Sequence, residues 1–194
     1  EGLVEGSLVT RNSSLVTRLA GVFYLLNLMA WPGMPQWPEG LSGWAVLEAV
    51  ARGLLGDTTP ADDLLWAALA ELDGREPGTP LGTACMGDLP MLTNEGKTEP
   101  LPARVQAAMT PVVAAWLTNG LPGIRALLAQ LLNAADTAAI ESLLWAHGRL
   151  LVGPTHVEVV MPLDAIDLRA RRVGLDRDPG WLPQVGRVVL FHFV

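Results

Sequence analysis

Three histidines and a few aspartates hold most of the chemistry this chain could perform. His156 and Glu158 stand one residue apart in "THVEVVM", so on an extended strand both side chains leave the same face. Two metal donors would then point together, and His192 from a neighbouring strand could add a third. No spacing joins His192 to that pair, and no metal centre is expected. The stretch "DRDPGW", residues 176–181, is the other apparent signature. A calcium loop wants oxygen donors at its first, third and fifth positions and a bidentate glutamate at its twelfth. Counted from Asp176, Asp178 falls third, but Gly180 falls fifth and Arg187 twelfth. As a catalytic pair the aspartates have no histidine, serine or lysine in sequence reach. Asp178-Pro179-Gly180 therefore reads as a tight turn, with Trp181 capping the sheet or the helical core and Arg177 or Arg187 paired to a carboxylate.

Asp62 and Asp63 resemble a catalytic pair only out of context. Thr59 reads as a helix cap, Pro60 as the first helical residue and Asp62 as the capping-box acid, with Asp63 beside it. Carboxylates in a first turn complement the helix dipole. The single cysteine, Cys85, excludes an intrachain disulfide and a cysteine-rich zinc site, and it reads as an inert loop thiol. A lack of disulfides suits assembly in a reducing cytoplasm. No G-x-S-x-G elbow, phosphate loop, dinucleotide fingerprint or H-E-x-x-H is present. No catalytic, cofactor-binding or metal-binding residue is expected. The competing reading is a small hydrolase-like enzyme whose site is gathered from Asp164, Asp167, His156 and His192.

The elements that would position these residues change character along the chain. Ser13 and Ser14 read as caps of a first helix running from Leu15 to Ala30, stopped by Pro32. Ser42 caps a second, ended by Gly56, and the helix behind Thr59 closes at Gly74. Residues 74–101 form a long connection rich in Gly, Pro and Thr, a length that marks function or mobility. Helical pattern resumes at Pro102, restarts at Pro111 behind Thr110, and ends at Gly120. Two more helices follow, "PGIRALLAQLLNAA" and "DTAAIESLLWAHG". From Arg149 the period becomes two, giving a strand, a Gly-Pro turn and a strand. "DAIDLRARR" is ambiguous between a short helix and an extended segment, and "GRVVLFHFV" is a terminal strand with Phe191 and Phe193 inward. The fold class is α+β: a helical region over 1–148 and a small, antiparallel, β-rich module over 149–194 packed on it.

Composition bears on partners. Half of the 194 residues are hydrophobic and 17% are charged, against about 25% in ordinary domains, and mean hydropathy is +0.32. A net charge of −7 with one lysine, Lys97, argues against sequence-independent binding to nucleic acid. The apolar run at residues 15–31 is shorter than a membrane span, carries Arg18 and Asn27, and lacks signal-peptide features. So apolar a helix needs neighbours on every side. The short, proline-interrupted helices of this chain are expected to fall short of supplying them, leaving apolar surface for a partner. Trp31, Trp37 and Trp44, around a Pro-rich loop, are the expected interface anchors.

"AGVFYLLNLM", "GWAVLEAVARGLLG", "DDLLWAALAELDGR", "THVEVVMPLDAIDL" and "GLDRDPGWLPQVGRVVLFHF" together resemble bacterial proteins associated with contractile injection systems, the phage-tail-like particles built of sheath, tube, baseplate and cap. The similarity is one of pattern and spans most of the chain apart from residues 74–101. Members of that group are often longer at the N-terminus, in keeping with a chain that starts at Glu1 and reads as a fragment or processed product. The resemblance implies a structural or assembly subunit, associated with the baseplate, cap or tape measure, whose partners are itself or other particle proteins in a homo- or hetero-oligomer. It implies assembly in the cytoplasm, within a particle that is released or docked at a membrane. It brings no catalytic residues.

Overall fold

A computed structural model of the chain describes residues 13–84, 98–134 and 137–194. The segment read as a helix from Leu15 begins as a strand. β1 (Ser13–Thr17) is followed by a 3-10 turn (Ala20–Tyr24) and a short α1 (Leu25–Met29). Thr17 decides where the strand stops, because its hydroxyl donates to Asp63 Oδ1 (2.6 Å) and accepts from the Leu19 N–H (2.9 Å). Beyond it Leu19, Val22, Phe23, Tyr24, Leu25, Leu26 and Leu28 are fully buried. The neighbours such a run needs come from this chain: α2 (Gly43–Leu55), α6 (Thr137–Leu144) and strands β2 (Gly148–Val152) and β3 (His156–Met161) all pack on it. Gly21 permits the closest approach, since a Cβ there would lie 1.9 Å from the Leu143 carbonyl oxygen.

Other helices follow their local signals with two corrections. Ser42 caps α2, accepting from the Ala45 N–H at 3.1 Å, and Gly56 at φ +53° ends it. α3 (Leu64–Leu72) starts four residues after the position expected for a Thr59 cap, because Asp63 is the N-cap. Asp63 Oδ1 accepts from the Leu65 N–H (3.0 Å) as well as from Thr17, and Oδ2 accepts from the Arg18 N–H (3.1 Å). One buried carboxylate thus caps α3 and pins the end of β1. Asp63→Ala should cost on the order of 3 kcal/mol, a lost cap plus orphaned buried donors, read as a lower urea midpoint. A change under about 0.5 kcal/mol, the scatter of ordinary surface substitutions, would show that the two elements are held elsewhere.

After α4 (Ala103–Ala107), α5 starts at Pro111 behind Thr110 but runs unbroken to Leu132. The interruption expected at Gly120 does not occur. Pro122 lacks the N–H that would bond the Thr118 carbonyl, and the Glu99 N–H takes that oxygen instead at 3.2 Å. α5 is the one helix among the described residues long and apolar enough to cross a membrane. Its stripe Val113, Trp116, Leu117, Leu121, Ile124, Leu128 and Leu132 faces the core.

The sheet has five strands in the order β1-β2-β3-β5-β4, with β4 Gly180–Leu182 and β5 Arg187–Phe193. It is mixed rather than antiparallel, since β3 and β5 run parallel with His156 opposite Val188 and Met161 opposite Phe193. Parallel neighbours need a crossover, and α7 (Leu168–Val173), the ambiguous stretch of the sequence, lies within it. The N-terminal β1 joins the sheet through β2. The face that carries Leu150, Val152, Val157, Val159, Met161, Val189 and Phe191 is buried, with the 3-10 turn packed on β2 and β3. Phe191 is buried and Phe193 half-buried, with the Arg171 guanidinium 5.3 Å from its ring centre.

Candidate functional site

The parallel register brings together what the sequence left apart. His192 lies opposite Val160, on the face that also carries His156 and Glu158. His156 Nε2 is 3.3 Å from Glu158 Oε1, and His192 Nε2 is 3.2 Å from Oε2. The two imidazoles bracket one carboxylate, so their nitrogens diverge around it. Among the described residues no three His, Cys, Asp or Glu side chains converge as metal donors. Thr155 Oγ1 lies 3.3 Å from His156 Nδ1, which completes a chain of hydroxyl, imidazole and carboxylate. The ring is seated over Gly153, where a Cβ would come within 3.0 Å of it. His156 and Glu158 border a shallow depression of about 240 Å³ that also touches Ser13, Ser14 and Leu151.

Asp164 and Asp167 do not join the two histidines. They line a separate cleft of about 550 Å³ together with Ser142, Trp145 and His147. Asp167 is the N-cap of α7, accepting from the Arg169 N–H (2.7 Å) and the Ala170 N–H (3.2 Å), and it pairs with Arg169 Nη2 at 2.6 Å. The hydrogen bond from the Arg169 side chain, with the two backbone donors, holds the Asp167 carboxyl below the usual carboxylate range against the opposing effect of burial.

In "DRDPGW" both aspartates are occupied structurally. Asp176 Oδ2 accepts from Arg171 Nε at 2.7 Å, so the paired arginine is neither Arg177 nor Arg187. Asp178 Oδ1 accepts from the Phe191 N–H at 2.6 Å and fastens the turn to β5. Arg187 instead donates to the Gly153 carbonyl. Asn27 donates to the carbonyls of Leu175 (2.8 Å) and Arg177 (2.7 Å), tying the loop to α1. Trp181 caps nothing: it stands on the outward face of edge strand β4, 60% exposed. With both carboxylates engaged, adding calcium, magnesium or zinc, then EDTA, should leave the melting temperature unchanged. A saturable shift abolished by Asp176→Ala or Asp178→Ala would make the turn a metal site.

The expected interface tryptophans separate. Trp44 is 2% exposed and its indole N–H donates to the Val185 carbonyl at 2.9 Å, so it belongs to the core. Trp31 and Trp37 are half-buried and pack against that core. The Pro-rich loop is held down by Trp116, whose indole donates to the Gln36 carbonyl at 2.7 Å. Tyr24, beneath the sheet, has its phenol pushed up to about 12, chiefly by burial and further by Asp176 and Asp167. Cys85 and Lys97 lie outside the described residues.

One densely charged cluster had no counterpart in the sequence reading. Glu48, 3% exposed, accepts from Arg52 Nε (2.9 Å) and from Arg75 Nη2 (2.7 Å). Arg75 also pairs with Asp73 and donates to the Thr79 carbonyl (2.7 Å), while Asp73 accepts from the Ser42 hydroxyl. The Arg52 guanidinium stacks 4.1 Å over Trp66. The i, i+4 spacing of Glu48 and Arg52 was the available signal. Comparison of the chain with protein-family models, curated proteins and solved structures finds no match.

Proposed function

We propose that this chain is a structural or assembly subunit that acts by association, docking through the uncovered face of its sheet. The composition of that face supports the reading. Val16, Leu151, Val160, Val188, Leu190 and Trp181 occupy outward positions across all five strands, and each is exposed or half-buried. Val16 is 68% exposed and Trp181 60%. The same face carries Ser14, Arg149, His156, Glu158 and His192 between these positions, and exposed apolar side chains interspersed with polar groups are the make-up of a contact surface. Of the expected anchors, Trp31 and Trp37 stay candidates for a second contact, half-buried against the core, whereas Trp44 is buried. The need for a partner no longer rests on the first apolar segment, which the chain covers itself.

The partner is a second copy or another protein of the same particle, and the net charge of −7 disfavours nucleic acid. The resemblance to contractile-injection-system proteins supplies the context: a component associated with the baseplate, cap or tape measure, assembled in the cytoplasm. The test is Val16→Asp with Trp181→Asp, followed by sedimentation over a dilution series and co-expression with sheath, tube and baseplate proteins of such a system. The double variant should keep its melting temperature and weaken association at least roughly tenfold, since each buried contact position is worth about 1.4 kcal/mol or more. A parent chain that stays monomeric at high concentration and binds none of those proteins would sink the proposal. The second reading, a small hydrolase, draws on the Thr155–His156–Glu158 chain of contacts, an order of groups that activates hydroxyl nucleophiles. It predicts p-nitrophenyl acetate hydrolysis that disappears in His156→Ala.

A further inference from the structure

The cleft between the end of α6 and the β3–α7 connection has a character that neither the sheet face nor the core explains. Its walls come from residues 142–147 on one side and 162–167 on the other. At about 550 Å³ it falls within the range of small-ligand sites. Trp145 is 37% exposed there. Among the described residues its indole N–H has no hydrogen-bond partner, and the Asp164 carboxylate has neither a hydrogen bond nor an ion pair. No arginine or lysine lines the cleft, and Arg169, which pairs with its Asp167, is committed to that carboxylate.

Three separate features of this cleft select the same charge. The Asp164 carboxylate offers two unused oxygens. The C-terminal end of α6, an eight-residue helix whose Ser142 and Leu143 line the cleft, presents the negative end of its dipole. The Trp145 ring gives a flat face of the kind that attracts cations. A planar cation that stacks on an indole and forks two N–H groups onto a carboxylate uses all three, and among protein side chains that is the guanidinium. We propose that this cleft is a socket for an arginine side chain supplied by a partner protein, with Trp145 as its stacking wall and Asp164 as its counter-charge. The socket is independent of the sheet-face reading, because it involves none of that face's residues.

The probe is L-argininamide, with citrullinamide as the neutral isostere and lysinamide as the ammonium analogue, added to the full chain. The indole N–H resonance of Trp145, identified by its loss in Trp145→Phe, is followed by NMR. Argininamide should shift it saturably, lysinamide more weakly, and citrullinamide at least tenfold more weakly. Asp164→Asn, at an exposed position, should leave the fold intact and weaken argininamide about tenfold. Sedimentation with and without argininamide distinguishes the sources: dissociation of a self-associated form assigns the guanidinium to a second copy, and an unchanged mass with intact probe binding assigns it to a different chain. An equal response to citrullinamide, no saturable shift of Trp145, or full binding by Asp164→Asn would each overturn the socket.

Discussion

Replacing Glu48 by alanine is expected to destabilise the protein by about 3–5 kcal/mol, the usual consequence of leaving buried charges unpaired. Two arginines depend on this one carboxylate, Arg52 at 2.9 Å and Arg75 at 2.7 Å, and both guanidinium groups are largely buried. Arg75 passes the connection on, to Asp73 at the end of α3, to the Thr79 carbonyl, and through Asp73 to the capping hydroxyl of Ser42. The network therefore joins the start of α2, its middle and the end of α3. For a chain of this length the loss corresponds to a fall of roughly 10 °C in melting temperature. Glu48→Gln should lose less, since it keeps one acceptor. The double change Glu48→Ala with Arg75→Ala should fall short of the sum of its parts, because removing one partner spares the other an unpaired charge. Strict additivity, or a single variant within about 0.5 kcal/mol of the parent, would show that the ions are solvated and the network is ornamental.

How far the fold could be read from the sequence depended on whether each decision was local. The Ser42 cap, the Gly56 stop and the restart at Pro111 are settled within a few residues, and the structure has all three. β1 was missed because its partner β2 lies far along the chain, while two serines before an apolar run imitate a cap. The cap of α3 falls on Asp63 rather than Thr59 because that carboxylate answers to residues outside its own turn. Its second task, accepting from Thr17 and Arg18, is invisible from residues 59–63. The parallel pairing of β3 with β5 has no local sign: a helix in "DAIDLRARR" permits a crossover without requiring one, and β4 intervenes before β5.

The candidate sites divide in the same way. His156 and Glu158 share a face by simple alternation, whereas the arrival of His192 beside them follows from a register that only the folded sheet fixes. Asp164 and Asp167 share a cleft as grouped, but with Trp145 and His147 from a different element in place of His156 and His192. Trp44 illustrates the converse error. Tryptophans near a Pro-rich loop suggest a contact surface, yet the Val185 carbonyl was waiting for that indole inside the fold.

Removal of the last strand should unfold the protein. β5 is an interior strand, paired with β3 on one side and β4 on the other. Deleting residues 188–194 strips Val189 and Phe191 from the core, leaves β4 without its pairing strand and exposes the edge of β3. The Phe191 ring sits 5.5 Å from that of Tyr24, and its N–H is the donor that Asp178 accepts. Losing Phe191 alone costs on the order of 3–5 kcal/mol, a large part of the 5–15 kcal/mol that typically holds a domain together. Phe193, half-buried beside Arg171, adds less. The truncated chain should lose amide dispersion in its NMR spectrum and its cooperative thermal transition. Phe191→Ala should stay folded at low temperature with a markedly lower midpoint, and Phe193→Ala should fall between that variant and the parent. A truncated chain with an unchanged melting temperature would mean that β5 contributes nothing to the core, and that the three strands β1-β2-β3 suffice without it.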